Sequence, residues 1–250
     1  RIPLAGALPL APSLDSIGPL APDVASCALT DAVLAGEPPF LPAPFPLAGL
    51  RLAVPDGMLL DGMNPLVASR FEQALRSLAA AGARISHVAF PQFAEIAAAN
   101  AGGGFAAAES YAWHRATLAK RGAEYDPRIL SRIVRGEAMT AADLLALLAA
   151  RPRIQASMDR ATLPFDALAL PTTPILPSPV AELADDAAFS RANALSLRNT
   201  APFNFLDRCA ISLPLTPRDE PPVGLMLAGE TGGDAKLFAI ALAVEAALRA

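Results

Sequence analysis

The stretch LRLAVPDGMLLDGMNPLVASRFEQALRSLAAAGARISHVAF, Leu50–Phe90, decides the fold class. Its two ends, Leu50–Pro55 and Ala83–Phe90, are apolar runs of strand length. Between them Asn64 stands where an N-cap belongs, Pro65 at the first helical position, and Gly82 just past the last periodic residue, so a helix is expected from Pro65 to Ala81. Strand, helix and strand at this spacing make a βαβ unit, which implies a parallel pair joined by a right-handed crossover.

Working outward, Pro22–Ala35 has apolar residues at helical spacing and stops at Gly36, a C′ glycine. The prolines of Glu37–Leu50 cannot donate ladder hydrogen bonds, so that segment reads as a stiff extended connection. From Pro91 to about Arg160 the pattern is helical, with breaks at Gly102–Gly104, Gly122 and Gly136, and Thr140 with Asp143 forms a capping box for a helix over Ala141–Ala150. Phe165–Pro171, Cys209–Leu215 and Val223–Gly229 are apolar on both faces, as strands covered by helices on each side are. A helix is expected between the first two of these, and a last one over Gly233–Arg249 carries Leu237, Ile240, Ala241 and Val244 on one face. The alternation indicates one α/β domain, with no polar linker and no internal repeat.

Composition narrows the function classes. Of 250 residues 53% are hydrophobic and 18% charged, with a net charge of −4, which excludes a disordered chain. No run of Lys and Arg exceeds a pair, so no nucleic acid partner is expected. The longest uncharged stretches, Ile2–Leu14, Pro38–Leu50 and Ala167–Ala181, fall short of the roughly 18–20 residues of a membrane span and contain several prolines, so no membrane partner is expected either. Pro3 and Pro9 interrupt the run that imitates a leader after Arg1, and residue 1 reads as a cut end. Cys27 and Cys209 lack the spacing of a disulfide framework or a zinc site, which makes a reducing cytoplasm the default compartment. His87 and His114 have no ligand-spaced partners, so no metal site is expected.

Five blocks then carry a resemblance: PLAGALPLAPSLDSIGPLAPDVASCALTDAVLAG (Pro3–Gly36), YDPRILSRIVRGEAMTAADLLALL (Tyr125–Leu148), FDALALPTTPILPSP (Phe165–Pro179), APFNFLDRCAISLPL (Ala201–Leu215) and PPVGLMLAGETGGDAKLFAIALAVE (Pro221–Glu245). Together with AESYAWHR (Ala108–Arg115) they resemble, in the usual order, the part of the amidase signature family that follows its nucleophile segment. Pro22, Ser26 and Arg208 depart from that pattern, Arg208 standing where the N-x-x-G-x-P-A block has its glycine unless the glycine is displaced. The resemblance implies an α/β/α sandwich with a mixed, largely parallel central sheet, and hydrolysis of a carboxylic amide through a Ser-Ser-Lys acyl-enzyme without a cofactor. It also implies a small-molecule amide as substrate and admits a homodimer.

The groups that such chemistry needs are a buried lysine, two serines and a Gly-Gly-Ser turn. Of the 20 basic residues only Lys120 and Lys236 are lysines, and both sit among polar neighbours. Gly102–Gly104 is followed by Phe105 and Gly232–Gly233 by Asp234, so no serine follows a glycine pair. No residue of this chain is therefore expected to be catalytic. The triad is expected upstream of residue 1, and residues 1–250 read as the C-terminal part of a single amidase domain whose N-terminal catalytic half is absent. The alternative is a catalytically inactive amidase-like module or subunit that complements a separate N-terminal half.

Four side chains are candidates for substrate contact. Asp15 and Ser16 precede the Gly18–Pro19 turn, where the carboxylate either caps the following helix or faces the crevice. Thr172 and Thr173, in Pro171–Pro174, lie beyond a strand's carboxyl end, where ligands of α/β sheets sit, although turn chemistry explains them equally. Phe105, Tyr111 and Trp113 are expected either to pack in the core or to wall an acyl pocket. Removal of a neighbouring half is expected to strip partners from the strands at Phe165–Pro171 and Cys209–Gly229.

Overall fold

The computed structural model describes residues 1–249. Helix α1 (Val24–Leu34) starts where the Asp23 side chain accepts a hydrogen bond from the Ser26 N–H. It ends where Gly36 N–H donates to Val33 O and Glu37 N–H to Ala32 O, the paired bonds of a Schellman motif. The prolines that follow form no regular element, and Phe45 and Leu47 pin that connection to the core.

Strand β1 (Arg51–Asp56), helix α2 (Pro65–Ala80) and strand β2 (Arg84–Ala89) form the expected βαβ unit, with β1 and β2 parallel from Arg51↔Arg84 to Asp56↔Ala89. Asn64 caps α2 by accepting from Leu66 N–H at 2.9 Å. The helical block comprises α3 (Gln92–Ala99), α4 (Gly104–Arg121), α5 (Pro127–Ile133) and α6 (Ala141–Thr162), broken at the three expected glycine positions. The capping box of Thr140 and Asp143 is present. Helix α6 nevertheless runs well past the expected Ala150, straight through Pro152. Pro152 is exposed, so water can serve the Leu148 carbonyl that loses its donor.

Strand β3 (Ala167–Pro171) is followed by α7 (Asp186–Arg198) and α8 (Ala201–Phe205), then by β4 (Ala210–Pro214), β5 (Gly224–Ala228) and α9 (Asp234–Arg249). The sheet has the order β2-β1-β3-β5-β4, and only β5 is antiparallel to its neighbours, so the remaining strands share one direction. Strand alternation splits the core in two. Leu52, Val54, Ala167, Ala169, Leu225 and Leu227 pack with Val24, Phe71, Leu78 and Ile240 of α1, α2 and α9. Ala53, Leu168, Leu170, Met226 and Ala228 pack with Phe93, Phe105, Ile154 and Phe203 of α3, α4, α6 and α8. Helices on both faces of a mixed sheet make the α/β/α sandwich.

One expectation about the edges is corrected. Strand β3 is central and buried along its whole length, and β5 lies inside as well, so neither lacks neighbours. The sheet's edges are β2 and β4, so within Cys209–Gly229 it is β4 that stands with a free side. Chain order misleads here because β3 inserts between β1 and β5.

Candidate functional site at the carboxyl ends of β1 and β3

The sheet carries a topological switch point. Helix α2, which follows β1, covers one face, whereas α8, reached after β3, covers the other. In open α/β sheets the crevice between two such strands, outside their carboxyl ends, is where ligands bind. Here the β1–β3 ladder ends for a chemical reason, which lies in Pro55. The Leu50 carbonyl accepts from β2 at Arg84 N–H, and the Arg51 carbonyl accepts on the β3 side from Asp166 N–H. Alternation therefore turns Ala53 and Pro55 toward β3. Proline has no N–H to give, and the β1–β3 pairing stops at Ala53↔Leu168. Beyond that point no ladder bond joins the two strands, since Pro171 lacks an N–H as well.

Two residues fill the gap. Thr172 N–H donates to Gly224 O on β5, so the preceding carbonyl, that of Pro171, faces the β1 side without a strand partner. Asn199, fully buried, donates its Nδ2–H to Pro171 O at 2.7 Å. Arg198 donates from Nε to Asn199 Oδ1 at 3.3 Å, and from its two terminal nitrogens to Asp61 O at 2.6 Å and Leu59 O at 3.0 Å. Asn64 N–H donates to Pro174 O at 2.8 Å, closing the β1–α2 loop over the end of β3. Burial lowers the Arg198 pKa, against the opposing pull of the Asp61 carboxylate.

Thr172 and Thr173 thus lie at the crevice, where the sequence places them. The Thr172 and Ser212 hydroxyls meet at 2.6 Å across β5, and they do so because residue 224 is glycine: a Cβ there would stand 2.6 Å from both oxygens. Thr173 Oγ1 turns back to donate to Ile175 O at 3.0 Å, which is turn chemistry. Asp15 and Ser16 are not part of this cluster as built. Asp15 accepts from Leu10 N–H at 2.9 Å and Ala11 N–H at 3.1 Å, closing its own turn, and the cap of α1 is Asp23 instead. Ser16 is exposed. The segment before it is tied down at Ser13, whose N–H and hydroxyl donate to Glu109 and whose carbonyl accepts from Arg151.

The other sequence candidates scatter. Phe105 is buried against Phe205, Trp113 is 57% exposed and Tyr111 bonds Glu137, so these aromatics form no common wall. Lys120 is exposed, and Lys236 stands 3.9 Å from both Asp166 and Glu230. His87 pairs with Asp56 and His114 with Tyr125. Among the described residues no group of three or more His, Cys, Asp or Glu side chains is arranged to hold a metal ion. Burial raises the Cys209 thiol to about 11, so it stays protonated at neutral pH and is a poor nucleophile. Neither the Thr172 nor the Ser212 hydroxyl is hydrogen-bonded to an imidazole or an amine among the described residues. The pair can donate to and accept from a bound group, but nothing beside it removes its proton.

Sequence reasoning missed Ser212, Arg198 and Asn199. An Arg-Asn pair between two helices has no periodic signature, and the available signal was only that a polar pair interrupts an otherwise apolar approach to a strand.

Comparison with known proteins gives the arrangement a family. A family model described as Amidase matches residues 1–238. The chain belongs to the amidase family. A solved amidase superposes on 98% of the chain and 56% of its own length, with a TM-score of 0.82 at 27% identity. The 2-amino-5-chloromuconic acid deaminase of Comamonas testosteroni is 33% identical over 98% of this chain and 54% of its own. One component of the glutamyl-tRNA(Gln) amidotransferase of Symbiobacterium thermophilum is 28% identical over 96% of this chain and 56% of its own. The chain thus spans about half the length of the curated amidase relatives it matches. No helix among the described residues is long and apolar enough to cross a membrane.

Proposed function

We propose that residues 1–250 are the C-terminal part of a single amidase domain, and that the whole domain cleaves the C–N bond of a carboxylic amide to acid plus ammonia or amine. The bond-breaking groups are a Ser-Ser-Lys set upstream of residue 1. A serine hydroxyl needs a neighbouring base, a lysine serves as one when burial lowers its pKa, and backbone N–H groups of a glycine turn hold the oxyanion. The observation that carries this proposal is the family match over residues 1–238 in a chain about half as long as its relatives. The lysines on the surface and the glycine pairs without a following serine agree with it.

In this reading the chain supplies scaffold and pocket wall, with Thr172 as the substrate-facing side chain, Thr173 and Ser212 beside it, and Asp15 and Ser16 on the strap that borders the fold. The substrate is a small-molecule amide, no cofactor takes part, the compartment is the cytoplasm, and a homodimer is the assembly to test for. The second reading, an inactive module that complements a separate N-terminal half, is favoured by the burial of β1, β3 and β5 on both faces.

The test is twofold. Purified chain is incubated with acetamide and benzamide and with a fluorophosphonate, and ammonia and intact mass are followed. No ammonia and no adduct are expected, and either one would overturn the placement of the nucleophile. The coding sequence immediately 5′ to the Arg1 codon is expected to contain, in frame, a Gly-Gly-Ser turn and a Ser-Lys block. A stop codon there favours the complementing module.

A further inference from the structure

The crevice between β1 and β3 is held by one dipeptide. Arg198 and Asn199 bond to each other and together contact two separate stretches: Leu59 and Asp61 in the β1–α2 loop, and Pro171 at the end of β3. Carried on from Ala53↔Leu168, the register sets Pro55 opposite Leu170, so the donor it lacks would have met Ala169 O, and Asn199 serves the next carbonyl on that side, that of Pro171. Arg198 fixes which way that amide points, since its Nε–H meets Oδ1 and leaves Nδ2 for the Pro171 carbonyl. Among the described residues no carboxylate lies within ion-pair distance of Arg198, so the guanidinium is spent on backbone carbonyls. A charge partly removed from water and hydrogen-bonded only to neutral acceptors costs stability, which the nearby Asp61 charge offsets in part, and ordinary packing would do the same joining more cheaply. The loop and the strand end that it joins are the two sides of the switch-point crevice.

We propose that Arg198 and Asn199 are positioning residues of the amidase site, which set the separation between the 59–61 segment and the Pro171–Pro174 turn and thereby hold the Thr172 and Thr173 hydroxyls in place. The proposal rests on this crevice being the chain's share of that site. It is tested without turnover, so that its failure and the failure of amide hydrolysis are distinguishable.

Asn199→Asp, Arg198→Met and Arg198→Lys are made in the full chain, and backbone hydrogen exchange is followed by mass spectrometry together with the threonine methyl signals. The direct reporters are the Asn64 N–H, bonded to Pro174 O, and the Thr172 N–H, bonded to Gly224 O. Asn199→Asp and Arg198→Met should speed exchange at both on the order of tenfold, as loss of one hydrogen bond does, with α9 unchanged. The Thr172 and Thr173 methyl signals should shift, and Arg198→Lys should restore part of the protection lost in Arg198→Met. Equal acceleration in α9 would make the pair ordinary core and overturn the proposal, as would unchanged exchange at Asn64 and Thr172. Should Asn199→Asp fail to fold, the two Arg198 variants decide on the same readouts.

Discussion

Asp207 has φ +57, and among the described residues it is the only non-glycine in the left-handed region. It is the C′ residue of a Schellman motif that ends α8, with its own N–H on Asn204 O and the Arg208 N–H on Phe203 O. The two other helices that end this way do so on Gly36 and Gly82, and both ends are legible in the sequence for that reason. The left-handed position that glycine fills in those two helices is thus held by Asp207, one position before Arg208. Arg208 instead lies buried, bonded to Asp159 and Thr162 at 2.7 Å. A left-handed L-residue costs roughly 1–2 kcal/mol, less for Asp, and glycine loses part of the gain to chain entropy. Asp207→Gly should therefore stabilise the fold by up to about 1 kcal/mol, read as a higher urea midpoint at unchanged slope. An unchanged or lower midpoint would show that the aspartate side chain contributes something glycine cannot.

Between elements, the seam of β1 and β3 is short, and its lower end is held by Asp166. That carboxylate accepts from Arg51 N–H at 2.9 Å and from the Arg51 guanidinium at 2.8 and 3.1 Å. The Arg51 hydrogen bonds hold its pKa below the usual 3.8, against the opposing effect of burial. A depressed carboxylate stabilises the fold above its unfolded-state pKa and loses that contribution as pH falls through the folded value. Stability should thus decline below about pH 3.8 in the wild-type chain, and Asp166→Asn should remove part of that dependence while lowering stability at pH 7. Equal acid slopes in thermal melts of the two proteins would assign the decline to other groups. The upper end of the same seam depends on Pro55, visible in the sequence from the start. Its meaning is not, because which ladder a missing N–H ends is known only when the side it faces is known.

Over the whole molecule, β4 is the strand that departs from a self-contained fold. The backbone groups of Cys209 and Leu215 are engaged with β5, which turns those of Ala210 and Ser212 outward. Ala210, Ser212 and Pro214 are exposed, whereas Leu213 on the opposite face is buried. A free edge beside an uncovered face is a template for pairing. The isolated chain should associate at micromolar concentration in sedimentation velocity, and Ala210→Lys should shift it toward monomer. A monodisperse wild-type monomer that unfolds cooperatively would contradict its being part of a larger domain. The sequence alone determined most elements of this protein, several of their caps and the two-sided burial of β3 and β5, because helix termini and strand periodicity depend on residues a few positions apart. The burial of β4 on both faces, expected in the same way, is not found. Only the tertiary structure decided that β3 inserts between β1 and β5, that Ser212 reaches Thr172 over Gly224, and that Asn199 serves the Pro171 carbonyl where no strand does. Each of these joins residues distant in the chain, and local chemistry does not encode which distant segments will become neighbours.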